Sequence, residues 1–173
     1  MSALFAGLLN SGTNLAWVLC YLAQSPEWMA RVRAEVTAAA AKHSTHPDPS
    51  APLIDQLGTL TLEAWESSFP TIDLCLKETI RLQLLGSAFR KNVSGRELSV
   101  GNGEVIPPGA FVAYHLGDNH LNPEIYPEPE KWDPSRYEKG REEDKKAPYA
   151  WVGWGVARHP CCKSLELFFS STS

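Results

Sequence analysis

The chain ends in the stretch WVGWGVARHPCCKSLELFFSSTS, which holds a candidate soft ligand, Cys161. A thiolate ligand needs a low pKa, which nearby cationic groups and backbone N–H groups at a helix start provide. Arg158 and His159 precede the sulfur, and an apolar, helix-like run follows it. Gly153 and Gly155 allow the backbone to approach a flat ligand closely. Cys161 is therefore a candidate ligand, with a buried and unreactive cysteine as the alternative.

Two upstream stretches carry charges whose spacing favours ion pairing. Glu78 and Arg81 in KETIR lie three residues apart, so they share one helix face and can pair. An exposed pair of little energetic value is the alternative. Arg136 in PEPEKWDPSRY lies between prolines and Tyr137, where its planar guanidinium can bind a carboxylate from elsewhere in the chain. Its alternative is a solvated loop arginine.

Taken in order, these motifs resemble the C-terminal part of a cytochrome P-450, a haem-thiolate oxygenase. KETIR resembles the family's Glu-x-x-Arg helix motif, and PEPEKWDPSRY resembles the later loop motif. The resemblance implies that Glu78, Arg81 and Arg136 form a structural ion triad. WGVARHPC is similar to the haem-binding loop, and AGLLNSGTNLAW to the long helix on the distal face of the haem. The likeness runs from near Ala6 to Cys161.

The resemblance also implies a cofactor, haem (iron protoporphyrin IX), with Cys161 as its axial iron ligand. Arg90 and His159 occupy positions that contact the haem propionates in relatives. Trp154 stands where the family usually has Phe beside the thiolate. The predicted haem-binding residues are therefore Cys161, Arg90, His159 and Trp154.

The distal helix departs from the family pattern at the positions that deliver protons to bound oxygen. Relatives usually have an acid followed by Thr, whereas this chain has Leu9 and Asn10, followed by Ser11. The candidate catalytic residues are Asn10 and Ser11, with an ordered water as the alternative. Asn at the second position resembles the branch of sterol 7α-hydroxylase and prostacyclin synthase, whose members hydroxylate or rearrange peroxides.

Three functions remain open at this point. The resemblance implies first a haem- and iron-binding oxidoreductase, a monooxygenase inserting one atom of O2 into a lipophilic, sterol-like substrate. It would take electrons from a reductase, for which Lys131, Lys145 and Lys146 are candidate docking residues and a solvated charge run is the alternative. The second possibility is an isomerase-type relative that rearranges peroxides. The third is an inactive, truncated product that binds no haem.

Relatives in the family are much longer, and the full-length eukaryotic ones, among which we expect fungal sterol-type members, lie in the endoplasmic reticulum membrane. We therefore expect residues 1–173 to be the C-terminal portion of a single cytochrome P-450 domain, inactive on its own, with a divergent tail over 162–173. Ala157 and Lys163 replace glycines of the family's haem loop. A distal helix without its partner helices would expose a large apolar surface.

The composition limits the class of protein. The 173 residues are 43% hydrophobic and 21% charged, which is typical of a globular protein. A net charge of -4 with scattered basic residues argues against nucleic-acid binding. The cysteines form no disulfide framework, which favours a reducing compartment, and the spacing of cysteines and histidines does not match a zinc motif. The cysteines are Cys20, Cys75, Cys161 and Cys162.

The elements that position these residues are predicted to be mainly α with a minor antiparallel β-sheet. The uncharged N-terminal run predicts a helix buried in a larger fold, with a membrane span as the alternative. A second helix should begin at Pro26 after Ser25, and the main helix at Pro70. Short β-favouring runs follow Gly86, and a long irregular segment rich in Pro and charge leads to the cysteine loop.

Overall fold

The computed structural model describes residues 2–84 and 86–155, with side chains from residue 8 onward. These residues are mainly helical, with short antiparallel strands, as the sequence predicts. They form two compact units. The first contains the residues up to Ile80 together with Trp132–Arg141, and the second contains Arg81–Lys131 and the residues from Glu142 onward.

Helix α1 (Ser2–Gln24) packs through one face only. Val18 and Leu22 are buried in a cluster with Trp28 and Cys75. Much of the rest of the helix remains open, with Leu8 77% and Leu9 55% exposed. Within the described part of the chain, no helix, α1 included, has the length and apolar character needed to cross a bilayer.

Helix α2 (Pro26–His43) begins as predicted, with Pro26 at its first position and Ser25 as N-cap. The proline fits there because the first N–H of a helix has no intrahelical acceptor. Two short helices follow, α3 (Leu53–Leu57) and α4 (Leu62–Ser67). A second buried cluster joins these helices, formed by Ala39, Leu60, Ala64 and Phe69.

Helix α5 (Pro70–Gln83) carries two of the three predicted triad residues, and its start is held by a carboxylate from α2. The side chain of Glu35 accepts hydrogen bonds from the backbone N–H groups of Thr71, at 2.6 Å, and Ile72, at 3.1 Å. The first N–H groups of a helix lack backbone acceptors and carry partial positive charge, so a carboxylate there stabilises the helix. Glu35 therefore caps α5 from a distant part of the sequence.

Replacing Glu35 by Ala should destabilise the chain by about 1–2 kcal/mol, because two N–H groups at the start of α5 lose their acceptor. Urea unfolding followed by circular dichroism measures the change. The exposed Glu66 on α4 provides the control, since its replacement by Ala should change stability by less than about 0.5 kcal/mol. Equal effects for the two variants would show that the cap contributes no stability.

The second unit contains two small antiparallel sheets, where the sequence predicted one. Strand β1 (Ser87–Lys91) pairs with β4 (Phe111–His115), and β2 (Leu98–Gly101) pairs with β3 (Glu104–Ile106). The short β2–β3 hairpin turns at Asn102, whose φ of 51° is one that asparagine tolerates. The β2–β3 hairpin is thus inserted between the two strands of the other sheet.

After β4 comes a short helix, α6 (Gly117–His120), and then an extended irregular segment. Its regular elements are two 3-10 turns, Pro134–Tyr137 and Glu143–Lys145. The sequence predicted this irregular character from its prolines and charges. The segment carries Arg136 and leads to the stretch that contains Cys161.

Candidate functional site

The carboxylate of Glu78 is the centre of a buried hydrogen-bond network in the first unit. Its Oε1 accepts from Arg136 Nε at 3.1 Å and from the backbone N–H of Asp133 at 3.0 Å, while Oε2 accepts from Tyr137 Oη at 2.8 Å. The side chain of Glu78 is 0% exposed and that of Arg136 is 1% exposed. A carboxylate at this depth needs such donors, because an unpaired buried charge is very costly.

The turn that carries Arg136 has its own internal supports. The carboxylate of Asp133 accepts from the backbone N–H and the hydroxyl of Ser135, and from Arg141 Nη1 at 2.6 Å. Burial alone would raise the pKa of Asp133, but the hydrogen bonds from Ser135 and Arg141 outweigh it and lower the pKa. The charged form of Asp133 therefore holds the turn in the conformation that points Arg136 at Glu78.

Trp132 connects the same segment to α5 and α1. Its indole Nε1 donates to Thr79 Oγ1 at 3.1 Å. Its ring stacks on Tyr21, with centroids 5.3 Å apart and an interplanar angle of 3°. Sequence reasoning did not identify Trp132, Asp133 or Tyr137 as supports of the Glu78 network, because these contacts join residues far apart in the chain.

Arg81 lies on α5, three residues after Glu78, and is fully buried. In the second unit its guanidinium donates to the backbone carbonyl oxygens of His120 and Lys131. The guanidinium carbon lies 4.8 Å from the ring centroid of Tyr126, a cation–π geometry. Arg81 thus fixes the backbone at two points, the end of α6 and Lys131 in the irregular segment.

His120 is a buried histidine whose role sequence reasoning missed. Its ring is 0% exposed, and Nε2 accepts the backbone N–H of Val152 at 2.9 Å. Burial, reinforced by repulsion from Arg81, lowers the pKa of His120 from 6.5 to about 4. The ring is therefore neutral near pH 7, and because Nε2 accepts, the proton lies on Nδ1. Nδ1 has no hydrogen-bond partner among the described residues.

Because the pKa of His120 is low in the folded chain, we expect the free energy of unfolding to decrease as the pH is lowered. In the unfolded chain the imidazole regains a pKa near 6.5, so between about pH 6.5 and pH 4 the unfolded state binds more protons than the folded state. The contribution is complete above pH 6.5, and up to about 3 kcal/mol is lost as the pH falls to 4.

Urea unfolding at pH 7.5 and pH 4.5 measures this effect. The His120→Gln variant should lose less stability over that interval than the wild type, since glutamine does not titrate. His115→Gln, at an exposed histidine that lies 3.3 Å from Asp118, is the control for removing an imidazole as such. A wild type and a His120 variant with the same pH dependence would contradict the assignment.

The predicted proton-delivery and haem-binding residues differ from one another in burial. Asn10 and Ser11 are exposed on α1, and no described element covers them. Arg90 is exposed on β1 and donates from Nη1 to the carbonyl of Phe89. Trp154 is half-buried and packs edge-on against Trp151, with ring centroids 6.1 Å apart. The predicted residues His159 and Cys161 lie outside the described residues.

The three lysines proposed for reductase docking each lie beside a carboxylate. Lys131 is 3.5 Å from Glu128, Lys145 is 2.5 Å from Glu142, and Lys146 is 4.0 Å from Glu143. The pairs of Lys131 and Lys145 are exposed and contribute little to stability, whereas Glu143 is buried. Their alternating signs favour a solvated charge run over a positive docking surface.

Comparison with known proteins identifies the family. The sequence model described as Cytochrome P450 matches residues 1–162. The chain belongs to the cytochrome P450 family. It is 46% identical over 162 residues to "Cytochrome P450 monooxygenase AacuE" of Aspergillus aculeatus. That alignment covers 93% of this chain and 32% of the relative. It is 43% identical to "Cytochrome P450 monooxygenase nsrP" of Aspergillus novofumigatus, covering 93% of this chain and 31% of the relative.

The fold agrees with that of a solved cytochrome P450. The structure titled "Retinoic acid bound cyanobacterial CYP120A1" matches with a TM-score of 0.70 and 28% identity, covering 91% of this chain and 32% of that one. The predicted partial cytochrome P-450 fold and the resemblance to fungal members are thereby confirmed. The chain spans about a third of the length of the curated relatives it matches.

Members of the cytochrome P450 family bind haem through a cysteine thiolate, and two described features fit such a cofactor. Gly155, in the loop that leads to Cys161, has a φ of 80°, a conformation that leaves glycine as the natural residue there. The exposed guanidinium of Arg90 keeps N–H groups, beyond its bond to Phe89, that no described residue accepts. Such a cation suits an anionic propionate.

Proposed function

We propose that this chain is the part of a haem-thiolate monooxygenase that supplies the iron ligand and its supporting scaffold. In this proposal Cys161 is the axial ligand, and Glu78, Arg81 and Arg136 are the structural triad. When bound, a haem-thiolate centre supplies O2 chemistry, because the thiolate pushes electron density onto iron and favours O–O cleavage. The observation that carries the proposal is the fully buried Glu78 carboxylate, whose donors include Arg136, Tyr137 and the N–H of Asp133.

The chain's own residues contribute position and charge in this proposal. Arg136, Tyr137 and the N–H of Asp133 satisfy Glu78 and thereby hold the 133–137 turn. In the second unit, Arg81 fixes the backbone at His120 and Lys131. Arg90 and His159 would balance the negative charge of the haem propionates, and Trp154 would lie beside the sulfur.

The whole protein would insert one oxygen atom into a lipophilic, sterol-like substrate, using electrons from a reductase at the endoplasmic reticulum membrane. Asn10 or Ser11, or a water held by them, would be the proton donors on the distal side of the haem. A second candidate is a peroxide-rearranging isomerase. The absence of an acid at Leu9 and of Thr at Asn10 favours it, since such an enzyme needs no proton delivery to O2.

Electron demand separates the two functions. Because the chain spans about a third of its relatives, residues 1–162 replace the matched segment of the Aspergillus aculeatus monooxygenase in a chimaera. The monooxygenase proposal predicts turnover of a lipophilic substrate that requires O2, NADPH and a reductase. Turnover of an organic peroxide without reductase or O2 would establish the isomerase instead. A chimaera that folds but takes up no haem would contradict both.

A further inference from the structure

Side chains from residues 119–126 hold the backbone of the 149–152 segment by three hydrogen bonds. We name the three side chains, those of Asn119, His120 and Tyr126, the clamp. The bonds run from Asn119 Nδ2 to Tyr149 O at 3.0 Å, from Tyr126 Oη to Ala150 O at 3.1 Å, and from Val152 N to His120 Nε2 at 2.9 Å. The held segment is the part of the described chain that leads towards Cys161.

The held segment needs outside support. Tyr149 has a φ of 59°, a left-handed conformation that bulky residues rarely adopt. Its side chain is 64% exposed, so it gains little by packing. A residue in such a conformation persists only where its surroundings determine it. The clamp bonds on Tyr149, Ala150 and Val152 supply that determination.

Within the clamp, His120 is the member fixed from most directions. Arg81 donates to its backbone carbonyl, its ring is fully buried, and Trp151 stacks on the ring with centroids 6.2 Å apart. Trp151 in turn contacts Trp154 edge-on. Because the imidazole is held by these contacts, its Nε2 has a defined position. The Val152 N–H that donates to Nε2 is therefore positioned as well.

We propose that His120 is a positioning residue for the cysteine loop: its Nε2 fixes the Val152 amide and so sets the path of the backbone towards Cys161. The inference rests on the proposed function, in which Cys161 binds iron. In this proposal His120 links the charged triad to the loop. Arg81 donates to the backbone carbonyl of His120, and the ring of His120 accepts the Val152 N–H.

Hydrogen exchange of the Val152 amide in the complete 173-residue chain, without haem, tests its hydrogen bond to His120 Nε2. The His120→Leu variant removes the acceptor at similar volume, whereas His120→Gln places an amide oxygen near the position of Nε2. We expect the Val152 amide to exchange at least about tenfold faster in the Leu variant than in the wild type, with the Gln variant close to the wild type. His115→Leu is the exposed control. Equal protection of Val152 in the wild type and the Leu variant overturns the proposal.

The tautomer of His120 tests the hydrogen bond from the Val152 N–H without any substitution. Nitrogen chemical shifts of the imidazole should show a protonated Nδ1 and an unprotonated Nε2 at pH 7. A proton on Nε2 would overturn the proposal, since that nitrogen could then not accept the Val152 N–H.

Haem ligation in the chimaera tests the consequence for Cys161. We expect the His120→Leu chimaera to bind haem but to lose most of the Soret signature of thiolate ligation in its ferrous, carbon monoxide-bound state. The Gln variant should restore that signature. A Leu variant with the full thiolate signature overturns the positioning role. A wild-type chimaera that binds no haem refutes the proposed function instead, while Val152 exchange still decides whether the clamp bond exists.

Discussion

Replacing Glu78 by Ala is expected to destabilise the chain by about 3–5 kcal/mol, the largest loss of stability anticipated for a single substitution here. The reason is burial. Arg136 is 1% exposed, so without the carboxylate its cation loses its counter-charge with little water to replace it. Tyr137 and the N–H of Asp133 lose the same acceptor. Since the free energy of unfolding of a domain is typically only about 5–15 kcal/mol, such a loss removes much of its stability.

The chain offers a matched control in Glu138, which also pairs with an arginine across a long stretch of sequence. Arg31 Nη2 lies 2.5 Å from Glu138 Oε1, but both side chains are 38% exposed. The Glu138→Ala variant should therefore lose about 1 kcal/mol or less. Urea unfolding of both variants gives the comparison. If the Glu78 variant loses no more than the Glu138 variant, the Glu78 network is not a structural support.

In the chimaera, the Glu78 variant should also take up far less haem than the wild type. The triad would act by fixing the backbone that leads to Cys161, so its loss should appear as reduced haem content and not as a change of ligand in the haem that remains. A Glu78 variant with normal haem content would contradict the scaffold role.

The second large effect is expected at Cys161. Its replacement by Ser should abolish thiolate ligation, because a serine hydroxyl does not offer iron a soft, anionic sulfur donor. Cys162→Ser is the closest control, since it removes the adjacent sulfur and should leave ligation unchanged. Two other cysteines are poor candidates for the ligand. Cys75 is fully buried and burial raises its pKa to about 12, and Cys20 lies exposed on α1.

The sequence predicted the features that depend on local signals. Pro26 and Pro70 mark the first positions of α2 and α5, because a proline fits the first turn of a helix and nowhere later in it. The spacing of Glu78 and Arg81 placed both on α5. The motif that contains Arg136 was also recognised, and its approach to Glu78 followed from the family resemblance and not from the spacing.

Features made by distant residues were not predictable from local pattern. Glu35 caps α5 from another helix, and no neighbour in the sequence marks it as a cap. Strand β1 pairs with β4 across the β2–β3 hairpin, and β-favouring runs do not reveal their partners. His120 lies in a stretch of turn-forming residues, yet it is buried because Arg81 and the 149–152 segment meet it from distant positions.

The most direct test of Cys161 as the iron ligand is the spectrum of the reduced chimaera with carbon monoxide, compared between the wild type, Cys161→Ser and Cys162→Ser. We expect the red-shifted Soret band of thiolate-ligated haem in the wild type and the Cys162 variant, and its loss in the Cys161 variant. Persistence of that band in the Cys161 variant, or its absence from a haem-loaded wild type, would contradict the assignment of Cys161 as the iron ligand.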